Sequence, residues 1–316
     1  MRIETEDLVL RYGDVTALDG LTLNLEAGKI YGLLGRNGSG KTSLLSILAA
    51  FRRQTSGGVR IDGRPVFENG AVTSRISLIR DTGETLDIGN AEDAIFFAEW
   101  LRPDWDGDYA RSLLDLFGID PKKNVKEMSK GQRSALGVVI GLAGRAPLTM
   151  FDESYLGMDA PSRQAFYDAL LADYMAHPRT IILSTHLIEE VSSLFEEVVI
   201  IDRGRLVAHE ESQTLLARGT AVTGPVAQVE AFTAGLKVLG TRRLGPTASA
   251  MVYGDLDDAR RAQAAAAGLD LGPIAMQDLF VHLTGGPGAP GAPGAPGASG
   301  TGEESPAAEL RTGETR

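Results

Sequence analysis

Cysteine is absent from the 316 residues, so neither a disulfide nor a thiolate metal site can form, which fits a reducing compartment. An excess of positive charge is missing too. There are 42 acidic residues against 31 basic ones, a formal net charge of -11, so no broad electrostatic attraction to DNA, RNA or anionic lipid is expected. No window reaches the roughly 18 uninterrupted apolar residues of a spanning helix. The longest candidate, "LGVVIGLAGRAPLTMF", is broken by Arg145 and Pro147 and reads as a buried helix followed by a strand. The start, "MRIETEDLVLRYGD", alternates charged with apolar residues and lacks the apolar stretch of a secretion signal. Any membrane role is therefore expected to be borrowed from another chain. What remains is an ordinary composition, 43% hydrophobic and 23% charged, sufficient for one large domain or a domain with an appendage.

Residues 3 to 31 alternate in the strand manner, with "RYGD" as a turn. From Ser39 to Phe51 the apolar spacing becomes helical. "GVRIDGRPVF" reads as two short strands around a turn and "RISLIR" as a further strand. Residues 91 to 118 read as two helices interrupted at Pro103, and Ser129 is placed to cap the helix that follows. "LTMFDE", "TIILSTH" and "EEVVIIDRGRL" are apolar strands separated by helical stretches, the spacing of a parallel sheet with crossover helices. The pattern ends near Glu211. Residues 212 to 284 read as a small second domain, with strands at "QVEAF" and "ASAMVY" and a helix at "DDARRAQAAAA". From residue 285 on, the Gly-Pro-Ala triplets are too few for a triple helix, and the segment reads as a disordered tail.

"GRNGSGKT", Gly35 to Thr42, matches the phosphate-loop pattern and lies between a strand and a helix, as that loop requires. Its glycines let backbone amides turn inward on phosphates, the helix N-terminus adds positive potential, Lys41 adds a charge, and Thr42 can hold magnesium. A magnesium-bearing anion site needs an acid at the tip of a neighbouring strand, and "LTMFD" puts Asp152 there. Glu153 is placed to orient or deprotonate a water attacking the terminal phosphate.

"GRNGSGKT", "MSKGQ", "FDE", "LGMD" and "STH" together resemble, in order and spacing, the nucleotide-binding subunits of ATP-binding cassette (ABC) transporters. The resemblance covers about residues 2 to 211. It implies an α/β phosphate-loop NTPase fold with a mostly parallel sheet, an antiparallel N-terminal β-subdomain and a helical subdomain inserted at about residues 82–146, to which the small C-terminal α+β extension is added. It further implies that Tyr12 stacks on adenine and that Gly35, Asn37, Gly38, Ser39, Gly40, Lys41, Thr42 and Ser43 cradle the phosphates of ATP. Thr42 and Asp152 would hold Mg2+, Glu153 would be the catalytic base, and His186 would contact the terminal phosphate. Ser129, Gly131 and Gln132 would reach the ATP of a second subunit, and Asp159 would link the two sites across the dimer. Asp81 stands where the family has a glutamine that touches magnesium and the coupling loop. Lys130 replaces a signature glycine, and "ESYLG" replaces the usual Glu-Pro-Thr.

The function so implied is an ATPase subunit that dimerises on two ATP molecules and drives a transmembrane permease at the cytoplasmic face of the membrane, with the C-terminal extension suggesting an exporter. A non-transport cassette ATPase, acting on a membrane protein, a ribosome or DNA, is the alternative. A kinase or GTPase would leave "MSKGQ" and "STH" without a purpose.

Overall fold

In chain order the secondary structure begins with β1 (Ile3–Tyr12), β2 (Val15–Leu25), β3 (Ile30–Leu34), α1 (Lys41–Leu48), β4 (Ser56–Ile61), β5 (Arg64–Pro65), α2 (Gly70–Thr73) and β6 (Ile76–Arg80). The computed structural model describes residues 1–80 and 89–285, so Asp81 and the triplet-bearing tail lie outside the described residues. Next come α3 (Ala91–Leu101), α4 (Gly107–Leu116), α5 (Lys130–Ala143), β7 (Leu148–Asp152), α6 (Ala160–Ala176), β8 (Thr180–Thr185), α7 (Ile188–Val191), β9 (Glu197–Asp202) and β10 (Arg205–Glu211). The remainder is α8 (Ser212–Ala217), β11 (Gly219–Pro225), α9 (Val226–Thr233), β12 (Val238–Leu244), β13 (Thr247–Tyr253), α10 (Asp258–Ala266), β14 (Asp270–Pro273) and α11 (Met276–Leu283).

The central sheet runs β10-β9-β3-β8-β7-β6. Its five strands from β9 to β6 are parallel, and β10 pairs antiparallel at one edge. Strands β3, β7 and β8 are buried at every position, which is why they read as unbroken apolar runs rather than alternating ones. Because they are parallel, their C-terminal ends lie together at one edge, where polar residues emerge. A second sheet, β2-β1-β4-β5, is antiparallel. Its first hairpin turns at Gly13, whose φ of 57° is the left-handed conformation that glycine adopts without strain.

The C-terminal extension has more strands than expected, β11, β12 and β14 being unanticipated, and one expected element has the other type. Residues 228 to 232, expected as a strand, lie in helix α9, and the unanticipated strand β11 precedes it. The reason is visible in the packing: Val229 and Phe232, three residues apart, are the buried pair, and that spacing belongs to a helix face. The elements run β11-α9-β12-β13-α10-β14 with sheet order β12-β13-β11-β14, all antiparallel. This is the split βαββαβ arrangement. One side of its sheet packs Val222, Ala250 and Val252 against Val229, Phe232 and Ala264 of the helices. The other side, with Leu239, Met251 and Ile274, joins the same apolar cluster as α11 and the central domain residues Ile188, Val191 and Phe195.

Candidate functional site

The loop between β3 and α1 is shaped by glycine at two close approaches. A Cβ on Gly35 would collide with Ser39 Oγ and come within 2.6 Å of the Ile201 carbonyl oxygen. Gly40 has φ 108°, and a Cβ there would sit 2.6 Å from the Ala17 carbonyl oxygen. The loop closes on itself where the Ser39 amide donates to the Arg36 carbonyl at 3.0 Å. Asn37 and Gly38 stand exposed at its rim, as does Thr42 at the start of α1, while Ser43 is half-buried. The Lys41 side chain is 6% exposed and curls back into the loop, where its ammonium donates to the Gly35 carbonyl at 2.6 Å and to the Arg36 carbonyl at 3.3 Å. Burial lowers the Lys41 pKa, and the neighbouring Glu153 and Asp152 oppose that shift. A cation held by backbone carbonyls inside a ring of amides is poised to exchange those carbonyls for an anion.

Asp152 ends β7, beside Ser184 of β8 in the parallel register. It is 5% exposed, and its Oδ1 has no hydrogen-bond partner; Ser39 Oγ and Ser184 Oγ are likewise buried without one. Buried polar atoms are nearly always satisfied in folded proteins, so the unpartnered Asp152 oxygen at the strand tip is free to take a ligand. Among the described residues no three His, Cys, Asp or Glu side chains gather into a metal site of their own. The donors present, Thr42 Oγ1 and Asp152, therefore fit a magnesium ion that brings part of its coordination with a phosphate ligand.

Glu153 has φ 51°, a left-handed conformation uncommon for a non-glycine residue. Its amide donates to the Ser184 carbonyl at 3.1 Å, which fixes the turn off β7 against β8. Its Oε1 then lies 3.3 Å from His186 Nδ1 and 3.8 Å from Lys41 Nζ. Thus four residues from three separate segments, Lys41, Asp152, Glu153 and His186, meet at the C-terminal ends of β3, β7 and β8. The arrangement can bind a phosphate chain, hold a divalent cation and present a carboxylate to water.

Tyr12, at the end of β1, is 41% exposed, and the Arg52 guanidinium lies over its ring, 5.6 Å from the centroid. Tyr12 shares a groove with Thr42, Ser46, Phe51, Arg52 and Arg80. None of Ser46, Phe51, Arg52 and Arg80 was anticipated from the sequence, because none belongs to a spaced motif. The segment expected to act across a dimer is built differently. Ser129 caps α5: its Oγ accepts from the Gln132 amide at 3.2 Å, and Gln132 Oε1 accepts from the Ser129 amide at 3.2 Å. This reciprocal cap satisfies two otherwise orphan donors of the helix start. Gly131 packs tightly, since a Cβ there would lie 2.6 Å from the Gly157 carbonyl oxygen. Ser129 is exposed and Gly131 and Gln132 are half-buried, bound to a different part of the chain from the phosphate loop.

Asp159 caps α6 through its Oδ1, which accepts from the Ser162 amide at 3.0 Å, and hydrogen bonding from Ser162 lowers its pKa. One turn on, Arg163 makes a bidentate pair with Glu190 on α7, at 2.8 and 2.7 Å, and donates to the Met158 carbonyl. That pairing holds the Glu190 carboxyl below its ordinary pKa and ties the Asp159 helix to the segment after His186. Sequence reasoning missed it because the two partners are remote along the chain.

Residues 18–155 match the ABC transporter family model. The daunorubicin/doxorubicin resistance ATP-binding protein DrrA of Streptomyces peucetius is 28% identical over 313 residues, covering 90% of this chain and 93% of that protein. The methionine import ATP-binding protein MetN of Rhizobium etli is 32% identical over 218 residues, 66% of this chain and 60% of that protein. Among solved structures, an ATP-binding subunit of an ABC transporter matches with a TM-score of 0.60 at 22% identity, covering 68% of this chain and 92% of that one. The dimeric cassette MJ0796, in a post-hydrolysis state bound to ADP and Pi, matches with a TM-score of 0.58 at 18% identity, covering 66% and 98%.

Proposed function

We propose that this chain, which belongs to the ATP-binding cassette transporter family, is the ATP-hydrolysing subunit of an exporter, and that two such chains close on two ATP molecules to drive a separate membrane permease. The observation that carries the proposal is the meeting of Lys41, Asp152, Glu153 and His186 at one sheet edge, with Glu153 Oε1 3.3 Å from His186 Nδ1. In the reaction Lys41 leaves the Gly35 and Arg36 carbonyls for the phosphates of ATP. Thr42 and Asp152 would hold magnesium, which when bound neutralises phosphate charge. Glu153 takes a proton from the water that attacks the terminal phosphorus, and His186, in contact with Glu153, orients toward the same phosphoryl oxygens. Tyr12 offers its ring face to adenine once Arg52 moves aside or is sandwiched.

Two observations support the assembly. The capped segment Ser129 to Gln132 is presented on a helix start away from its own phosphate loop, as a site completed by a second chain requires. On α3, Phe96, Phe97, Trp100 and Leu101 are exposed by 64%, 45%, 79% and 62%, an apolar face suited to a permease loop. Among the described residues no helix is long and apolar enough to cross a membrane; in this reading the permease is the membrane anchor and the chain is peripheral on its cytoplasmic side. Export rather than import is favoured because the drug-resistance relative matches through the C-terminal extension, whereas the match to the methionine import protein covers 66% of the chain. Purifying the chain with the product of a neighbouring permease gene and measuring ATP-dependent efflux from vesicles tests the proposal. Uptake into the compartment that holds the chain, or no stimulation of ATPase rate by the permease, would overturn it.

A further inference from the structure

Arg80 ends β6 in register with Asp152 of β7, so the two side chains emerge on one face of the sheet at neighbouring strand tips. Its guanidinium lies 4.9 Å from the ring centroid of Phe51, and its Nη2 donates to Ser46 Oγ at 2.7 Å. Ser46 is 5% exposed and donates in turn to the Thr42 carbonyl at 2.5 Å. A hydroxyl carries one hydrogen. By accepting from Arg80, Ser46 is left with that hydrogen aimed at Thr42, and a serine bonded back to the fourth residue before it adjusts the helix locally. The relay therefore bears on the first turn of α1, the turn that carries the Thr42 hydroxyl.

We infer that Arg80 is a positioning residue for the magnesium site, acting through Ser46 on Thr42. The inference rests on the nucleotide-site reading above. It requires that Arg80 act through its partners: Arg80 is bonded to Ser46, one helical turn beyond Thr42, and stacks on Phe51. Partners that orient a metal ligand typically govern metal affinity by about 10- to 100-fold.

The test measures equilibrium binding of a fluorescent ATP analogue to the full chain, first in EDTA and then across a magnesium titration. Arg80→Ala and Ser46→Ala are each expected to raise the magnesium concentration for half-maximal tightening by about tenfold or more, while affinity in EDTA stays within about twofold. Arg80→Lys, which keeps a donor but loses the planar stack, is expected to restore part of the shift. A residue with only a bulk structural role would weaken both titrations together. Equal weakening in EDTA and in magnesium would overturn the inference, since it would make Arg80 a direct phosphate ligand or a fold determinant. An unchanged magnesium midpoint in Ser46→Ala would overturn it too, and that variant decides if Arg80→Ala does not fold. If the wild-type chain itself shows no magnesium-dependent ATP binding, the nucleotide-site reading fails along with the inference; if only the variants fail to shift, the inference alone is lost.

Discussion

Replacing Glu153 by Gln separates chemistry from binding, and the structure sets the expected sizes. Gln is preferred to Ala because the residue has φ 51°, and a shorter side chain would mix a change in backbone strain with the loss of the carboxylate. Loss of a general base typically costs about 10²- to 10⁴-fold, so turnover is expected to fall at least a hundredfold, equivalent to about 2.7 kcal/mol of barrier. Binding moves the other way. Glu153 Oε1 stands 3.8 Å from Lys41 Nζ, and two charges at that distance attract by about 4 kcal/mol at an effective dielectric of ~20. Solvent reduces this, since the Glu153 side chain is 24% exposed. Removing the charge frees Lys41 for phosphate and removes a repulsion from the triphosphate. ATP affinity is therefore expected to hold or to tighten by up to about tenfold, roughly 1.4 kcal/mol. Phosphate release at saturating Mg-ATP gives the first quantity and equilibrium nucleotide binding the second. Turnover within about threefold of wild type would refute the base assignment, and ATP affinity weakened more than about tenfold would make Glu153 a binding group instead.

Mixing a Lys41→Ala chain with a Ser129→Arg chain, each inactive alone, should restore ATPase activity by forming one intact composite site per heterodimer; heterodimers without recovered activity would exclude a site shared between chains. Tyr12→Ala should raise the KM for ATP by about 5- to 150-fold, the value of about 1–3 kcal/mol for stacking a base on an aromatic ring, with kcat nearly unchanged, and a selective fall in kcat would contradict it. Asp173→Asn breaks a network in which the Asp173 and Arg179 side chains are 1% and 5% exposed and 2.7 Å apart. It should cost about 3–5 kcal/mol in urea unfolding because it leaves the buried Arg179 guanidinium without its carboxylate, and a loss below about 1 kcal/mol would show that the remaining acceptors of Arg179, Thr149 Oγ1 and the His177 carbonyl, suffice. Deleting residues 286 to 316, whose Gly-Pro-Ala triplets offer no apolar surface to bury, should leave melting temperature and ATPase rate unchanged within error; a substantial fall in either would mean that the tail docks.

The residues legible in the sequence share one property: their chemistry imposes a local spacing. A phosphate can be wrapped by backbone only if glycines recur within a few residues, so Gly35, Gly38 and Gly40 announce themselves. Asp152, Glu153 and His186 follow apolar runs because the strands that carry them are buried on both faces. The Ser129 cap was legible for the same reason, since a helix start demands its acceptor next to it in the chain.

Arg80, Ser46, Phe51 and Arg52 obey no such rule. They reach the groove beside Tyr12 from the end of β6, from mid-α1 and from the turn after it, and nothing about an arginine before an aspartate identifies it as the partner of a serine 34 positions earlier. The pair Arg163 and Glu190, 27 positions apart, was hidden in the same way. Segment 228 to 232 was misread because five residues with apolar positions two and three apart satisfy strand and helix periods about equally, and the choice is made by the sheet of β11 and β13 beneath it. The consequence bears on how departures from the family pattern act. The resemblance puts Lys130 and Asp81 at motif positions, whereas Arg80 would act on the same proposed site from outside every motif. If the inference above holds, a change in the magnesium requirement of this chain can arise at Arg80, through its bond to Ser46, at a position that no motif marks.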